Sequence, residues 1–313
     1  MSKNRTIPFL VIGFVMAIWG VSFLSIKVTV AILSPMTLAL SRFVIASVIL
    51  IILLKIREPD AHLHKSDIPR MAVSGIVGIS VYFYFENNGV KFTSASTASI
   101  IIATIPAFTV ISDWLFCGNR LNWARMLGVV LSFLGVYLIV RDSGQLNFAS
   151  QYFVGNLFMI GAALAWVVYS LVTRPLGQNY SRLAITTYQT LFGTLAIFPF
   201  ALLETNKWAL VDGTVIANIV FLGVFCSAFG YYGYVYAIGK LGVDMASLFI
   251  NFIPVVTVVS SYFILGEKIT PTQMLGGGII ISAVYLADLG NWFRSRVAPQ
   301  TRVTKTRAKS AKS

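Results

Sequence analysis

Ten apolar runs, each close to the length needed to cross a bilayer, leave this chain very few possible folds. A helix needs about 20 residues, rising 1.5 Å each, to traverse a hydrocarbon core of roughly 30 Å. The runs lie near residues 8–30, 35–54, 70–91, 96–117, 123–140, 153–172, 182–203, 214–237, 245–265 and 272–290. The connections are short and carry turn formers, as in Leu33-Ser34-Pro35 and Gly266-Glu267-Lys268-Ile269-Thr270-Pro271. None has room for a soluble domain. Backbone amides in lipid must be satisfied within their own segment, so an all-α membrane protein is expected. Composition agrees: 11% of residues are charged and the mean hydropathy is +0.80, where a soluble domain carries about a quarter charged residues. Cys117 and Cys226 both fall in apolar runs, which speaks against a structural disulfide or a zinc site. Ser2-Lys3-Asn4-Arg5 precedes a long first run, read as a retained helix and not a cleaved leader.

Basic residues outnumber acidic ones 24 to 11, and their placement gives an orientation. With the N-terminus inside, the inner segments hold 18 Lys and Arg, seven of them in the tail from Arg294 to Lys312. The outer segments hold Lys91, Arg141, Lys207 and Lys268. The positive-inside rule therefore predicts a multi-pass protein of the cytoplasmic (inner) membrane with both termini cytoplasmic. The tail, 291–313, is expected to be disordered and to meet anionic lipid, not nucleic acid.

The chain also repeats itself. At an offset of 148, residues 99–138 align with 247–286 without a gap, and 14 of the 40 positions are identical. Pro106 matches Pro254, Thr109 matches Thr257 and Gly118 matches Gly266. At an offset of 147, Trp19 pairs with Trp166, Lys27 with Arg174 and Ser34 with Ser181. The expected units are a first five-helix repeat over 1–144 and a second over 145–290. Five spans is an odd number, so the second copy enters the membrane from the opposite side. Inverted repeats of this kind allow alternating access about a site near the midplane.

These residues resemble the drug/metabolite transporter superfamily, and within it the EamA-type exporters. The second half carries the pattern in Pro254, Leu265-Gly266-Glu267-Lys268-Ile269-Thr270, Gln273 and Gly276. The first half carries it in Trp19-Gly20, Lys27, Pro35, Arg42, Thr93-Ser94-Ala95-Ser96 and Pro106. The resemblance covers about residues 8–290. It departs at Cys117-Gly118-Asn119, which lacks the acid found at Glu267 and suggests a loop or cap role for that acid. It implies a carrier that exports small metabolites, often amino acids or related compounds. It also implies a central cavity lined by spans one, three, four, six, eight and nine. No GxxxxGK[ST] loop is present, so no nucleotide site, cofactor or metal is expected. The expected partners are small-molecule cargo, the bilayer and protons, in a monomer or homodimer.

Charges within spans cost about 2.5–3.5 kcal/mol each near the centre and are functional suspects. Lys27, Arg42 and Glu86 come from three spans and share the outer leaflet, either as an ion-paired cluster or with Glu86 as a proton-coupling or cation-binding group. Asp113 is expected to pair with Arg120 and Arg125 at the inner interface. Pro106 and Pro254 each free a carbonyl four residues earlier and mark matched helix breaks near a site. The substrate-binding candidates are Trp19, Glu86, Asn87, Trp166, Tyr169, Tyr232 and Asn251, with Trp19 and Trp166 the best aromatic walls. Aromatic walls suit apolar or cationic groups alike, so a multidrug or organic-cation exporter is an alternative. In the other class, a membrane-bound enzyme such as an acyltransferase would use the His62-x4-Asp67 spacing, whose isolation favours a plain loop; no catalytic residue is expected.

Overall fold

A computed structural model describes residues 3–117, 123–142, 150–241 and 249–297. Its helices follow the apolar runs: α1 (Lys3–Thr29), α2 (Pro35–Arg57), α5 (Trp123–Asp142), α6 (Gln151–Thr173), α7 (Arg182–Leu202) and α10 (Pro271–Val297). Four others are not plain α-helices. The third span, α3, runs through Ile68–Gly75, a π-helical turn Ile76–Val81 and Tyr82–Phe92. Its repeat mate α8 has the same plan in Gly213–Val220, π-helical Phe221–Phe229 and Gly230–Leu241. The fourth span, α4, is broken into Ala95–Ile102 and Ile105–Cys117. Its mate α9 is helical at Phe249 and Ile250, turns at Asn251 and resumes as Phe252–Leu265. The helix α10 extends past residue 290 to Val297, beyond the expected end of the span, while the rest of the basic tail lies outside the described residues.

Seven of the described helices are long and apolar enough to cross a membrane. With the shorter apolar segments Met126–Leu138 and Phe252–Leu265 and the helix α10, they give ten spans in two inverted sets of five. Among the described residues, the connections after α1, α3, α7 and α9 lie on the face of Pro35, and those after α2 and α6 on the face of His62.

The repeats are not separate bundles, because each donates one helix to the other. The helix α6 packs against α3 and α4, and α1 packs against α8 and α9. Glycines permit the close approach. A Cβ at Gly89 would lie 2.2 Å from Met159 Sδ, and one at Gly155 would lie 2.8 Å from the Thr93 nitrogen. In the other bundle, a Cβ at Gly20 would lie 2.6 Å from Val256 Cβ, and one at Gly233 would lie 2.8 Å from Val15. Hence one bundle is α3, α4 and α6, and the other is α8, α9 and α1. The helices α2 and α7 pack on each other, with α2 also against α8 and α7 against α3. The pair α5 and α10 packs together, and through Val136 and Ile280 it joins Ile100 and Ala103 of α4 and Val258 of α9.

The α2–α7 pair is fastened at both ends by reciprocal acids. The Glu204 carboxylate, just past α7, accepts from the Met36 and Thr37 amides at 3.0 and 2.7 Å. It thereby satisfies donors that the first turn of α2 leaves free. On the opposite face Glu58, just past α2, accepts from the hydroxyl of Ser181, the N-cap of α7. Between the ends, Ser47 and Thr194 hydrogen-bond at 3.1 Å.

Among the described glycines the closest approach to backbone is between α3 and α7, where a Cβ on Gly75 would lie 2.4 Å from the Gln189 carbonyl oxygen. Backbone cannot yield as a side-chain tip does. Gly75→Ala should therefore cost about 1–3 kcal/mol, seen as a lower melting temperature in detergent. Gly13→Ala, with nothing within 4 Å, should leave the melting temperature unchanged.

Candidate functional site

A cleft with about 530 Å³ of empty space, part of it open to solvent, lies between the two bundles. One wall is Tyr82, Phe83, Glu86, Ile102, Ile105 and Trp166, all from α3, α4 and α6. The facing wall is Trp19, Ser22, Phe23, Tyr231, Ile250 and Ile253, from α1, α8 and α9, and Arg42 enters from α2. The walls are related by the repeat: Trp19 with Trp166, Ile102 with Ile250, and Ile105 with Ile253.

The breaks in α4 and α9 explain why isoleucines from both helices reach the same space. Ala103 and Asn251 are repeat mates, and both have nearly flat ψ, −4° and −9°. Pro106 and Pro254 follow within three residues, so each helix restarts where a missing amide costs least. The breaks thus sit just before the prolines, with Ile102 and Ile105 flanking one and Ile250 and Ile253 flanking the other.

The π turns place the aromatic groups. A π turn rotates the register of the helix beyond it and leaves carbonyls free for other donors. The indole of Trp19 uses one of these, donating to the Cys226 carbonyl at 3.0 Å. Gly230 makes room, since a Cβ there would lie 2.6 Å from Trp19 Nε1. Trp19 and Trp166 meet edge to face with centroids 6.5 Å apart, and Tyr82 lies 5.2 Å from Trp166. Tyr231 contacts both tryptophans, at 5.7 and 6.2 Å.

Two opposite charges enter this aromatic space without pairing to each other. Arg42 is 3% exposed; its Nε donates to Ser227 Oγ at 2.9 Å, and its Nη1 has no partner. Its guanidinium sits 4.6 Å over the Phe83 ring and 5.4 Å from that of Phe43. Glu86 is 5% exposed, and its Oε1 accepts from the Tyr82 hydroxyl at 2.9 Å. Leaving a buried donor unsatisfied costs about 1–3 kcal/mol, and more for a charged one. Asymmetry between the repeats sharpens the contrast. The repeat mates of Arg42 and Glu86 are Gln189 and Tyr234, which carry no charge. The Gln189 amide donates to Ser74 and Thr173 at 2.8 and 2.9 Å and accepts from Tyr169 at 3.1 Å.

Lys27 is not in this cluster, which corrects the expectation of three charges sharing one place. Its ammonium donates to the carbonyls of Val90, Lys91 and Thr93 at 2.8, 3.2 and 2.5 Å. It therefore caps the C-terminus of α3, where the helix dipole favours a cation. Nor do Arg42 and Glu86 form the expected ion pair, since each has turned to a neutral hydroxyl.

Of the other substrate-binding candidates, Trp19, Glu86 and Trp166 line the cavity and four do not. The Asn87 amide donates to the Pro35 carbonyl at 2.8 Å, tying α3 to α2. Tyr169 is committed to Gln189, and Tyr232 packs against the hydrophobic core. Asn251 is 3% exposed at the α9 break, its amide without a partner. Asn156 accepts from Thr93 at 2.9 Å within its own bundle. The proposed pairing of Asp113 with Arg120 and Arg125 lies outside the described side chains.

The loop residues His62 and Asp67 engage separate partners. Asp67 accepts from the Tyr180 hydroxyl at 2.8 Å, and His62 Nδ1 bonds the Asp60 carbonyl. His62 and His64 meet edge to face with centroids 5.1 Å apart, but no cluster of three metal-binding side chains occurs among the described residues.

A helical membrane protein of two inverted repeats, enclosing a polar spot in an aromatic cavity between exchanged bundles, has the build of a small-molecule carrier. Comparison with known proteins agrees. The EamA-like transporter family profile matches residues 6–141 and again 153–287, and the chain belongs to that family. An uncharacterized transporter of Archaeoglobus fulgidus is 29% identical over 89% of this chain and 97% of its own length. A protein of Streptantibioticus cattleyicolor named a probable terminal-alkyne amino-acid exporter is 30% identical, over 90% of this chain and 93% of its own. A crystal structure at 19% identity has the same fold, with a TM-score of 0.68 over 95% of this chain and 99% of that one.

Arg42 and Asn87 should separate site from scaffold. Asn87→Ala loses one buried bond and should lower stability by about 1 kcal/mol, read as a lower melting temperature, with half-saturation for cargo changed less than twofold. Arg42→Ala should instead weaken cargo binding at least tenfold.

Proposed function

We propose that this protein exports small zwitterionic metabolites, amino acids or related compounds, from the cytoplasm by alternating access. The observation that carries the reading is that Arg42 and Glu86, both buried, face one cavity without pairing. A cargo carboxylate would take the free Nη1 of Arg42 in a charge-assisted bond. Its ammonium would lie at Glu86, with the remaining side chain against Trp19, Trp166 and Tyr231. Arg42 is anchored through Ser227 to the bundle of α1, α8 and α9, and Glu86 belongs to the other. A bound zwitterion would then bridge the bundles, which is how cargo can favour a change of state. The repeats 1–144 and 145–290 supply the two-fold relation between the inward-open and outward-open forms. The Lys and Arg distribution puts the His62 face, with both termini, in the cytoplasm.

Glu86 also suits proton coupling. With the cavity empty, its nearest polar partner is a neutral tyrosine, so binding a proton removes a buried charge. Proton and ammonium would then exclude each other at one carboxylate, the requirement for exchange. A second reading, export of organic cations, is favoured by the aromatic walls and Glu86 but leaves the Arg42 Nη1 unused.

Proteoliposomes loaded with labelled amino acids separate the two readings. Flux should require both the carboxylate and the amine of the cargo, failing for the amide or the N-acetyl derivative. Glu86→Gln should abolish the response to a pH gradient. Transport of cargo lacking a carboxylate, unaffected by Arg42→Ala, would favour the organic-cation reading instead.

A further inference from the structure

Lys27 and Glu267 carry side-chain bonds that cross directly from one bundle to the other, and both lie on the Pro35 face. The Glu267 carboxylate, just past α9, reaches the start of α4. There it accepts from the Ala95 and Ser96 amides at 2.9 and 3.1 Å and from the Ser96 hydroxyl at 2.7 Å. Gly266 makes this reach possible: it ends α9 in the left-handed region at φ +66°, turning the chain back over the bundle boundary. Lys27, at the end of α1, holds three carbonyls at the end of α3. The two side chains thus grip both sides of the 92–95 connection. One neutralises a helix C-terminus and the other a helix N-terminus, each with the sign the helix dipole favours.

The repeat predicts an equivalent grip on the His62 face, and the sequence has altered it. Arg174 stands at the repeat position of Lys27, keeping the cation. Asn119 stands at that of Glu267, and Asp244 at that of Ser96. In sequence, then, the acid of this pair stands at 244 and not at 119, so position 119 offers no carboxylate like that of Glu267.

We propose that Lys27 and Glu267 form a latch that shuts the Pro35 face at rest, biasing the carrier toward the state open on the opposite, cytoplasmic side. The inequality of the two grips gives the two-fold related states unequal energy. A carrier resting in this way loads from the cytoplasm, so the latch supplies a direction to the export reading, on which this inference rests for its sidedness. Cargo in the cavity must overcome the latch before release outside. Losing it would leave the two states closer in population and the carrier less rectified.

The test is chemical labelling of the full chain in native membrane vesicles of known sidedness. Cys117 and Cys226 are replaced by Ala, and Ser22→Cys is introduced as the cavity reporter, since Ser22 lines the cavity and is 6% exposed. A membrane-impermeant maleimide should label this cysteine from the cytoplasmic side and slowly from outside. Glu267→Gln should raise the outside rate about tenfold, the factor carried by one charge-assisted bond, and Glu267→Asp should restore part of the difference. Lys27→Met should act in the same direction, and it keeps the test decisive if the Glu267→Gln protein fails to fold. Equal labelling from both faces before any latch substitution would overturn the proposal. So would an outside rate unmoved in a folded Glu267→Gln or Lys27→Met protein. Labelling reads the faces without reference to what is carried. Failed amino-acid flux with the labelling asymmetry intact would therefore refute the cargo and leave the latch standing.

Discussion

An unwound turn in hydrocarbon leaves backbone groups that lipid cannot satisfy, so it survives only against protein or a cavity. The fold is organised around two such turns, at Ala103–Thr104 in α4 and at Asn251 in α9. Because the turns are repeat mates, satisfying both in one place requires the two halves to meet there. The exchange of α1 and α6 between halves achieves this: each bundle presents one broken helix, one π-turn helix and one tryptophan-bearing helix to the other. The glycines that let these helices approach are therefore as much part of the site as the residues that line it.

The repeat sets a symmetric frame, and the chemistry comes from departures from it. Where the first half has Arg42 and Glu86, the second has Gln189 and Tyr234. Gln189 is fully engaged with Ser74, Thr173 and Tyr169, which closes its side of the frame with neutral bonds. Arg42 keeps an unused donor while buried among aromatic rings, where electrostatic interactions are stronger than in water. In sequence, Glu267 likewise stands where the first half has the neutral Asn119. A frame that can be inverted at little cost, with charges on one side only, is what a carrier with a preferred direction needs.

Much of this was legible in the sequence. Run lengths gave the spans, the odd number of spans per copy gave inversion, and paired prolines pointed to the two breaks. Trp19 and Trp166 emerged as a repeat pair, and the missing acid opposite Glu267 correctly marked it as a capping residue. The cavity isoleucines are identities in the alignment at an offset of 148, but identity alone does not separate a cavity wall from helix packing. Tyr231 was harder to find, because it stands one residue off the position that the offset of 148 gives to Tyr82. Lys27 was misplaced because spacing along one helix gives depth but not direction around the axis. Asn87 and Tyr169 were polar and central in sequence, yet their neighbours Pro35 and Gln189 claim them, which only the packed helices reveal.

The central claim is that the moving units are the exchanged bundles and not the sequence repeats. Spin-label distances test it most directly, using exposed positions in α1, α3, α6 and α9. The distances Leu10 to Phe252 and Val73 to Val168 join different repeats or distant spans but stay within a bundle, whereas Leu10 to Val168 crosses between bundles. On adding saturating cargo, the account predicts that the crossing distance redistributes while both within-bundle distances stay fixed. A shift in Leu10 to Phe252, with Leu10 to Val73 unchanged, would show the repeats moving as rigid halves and contradict it.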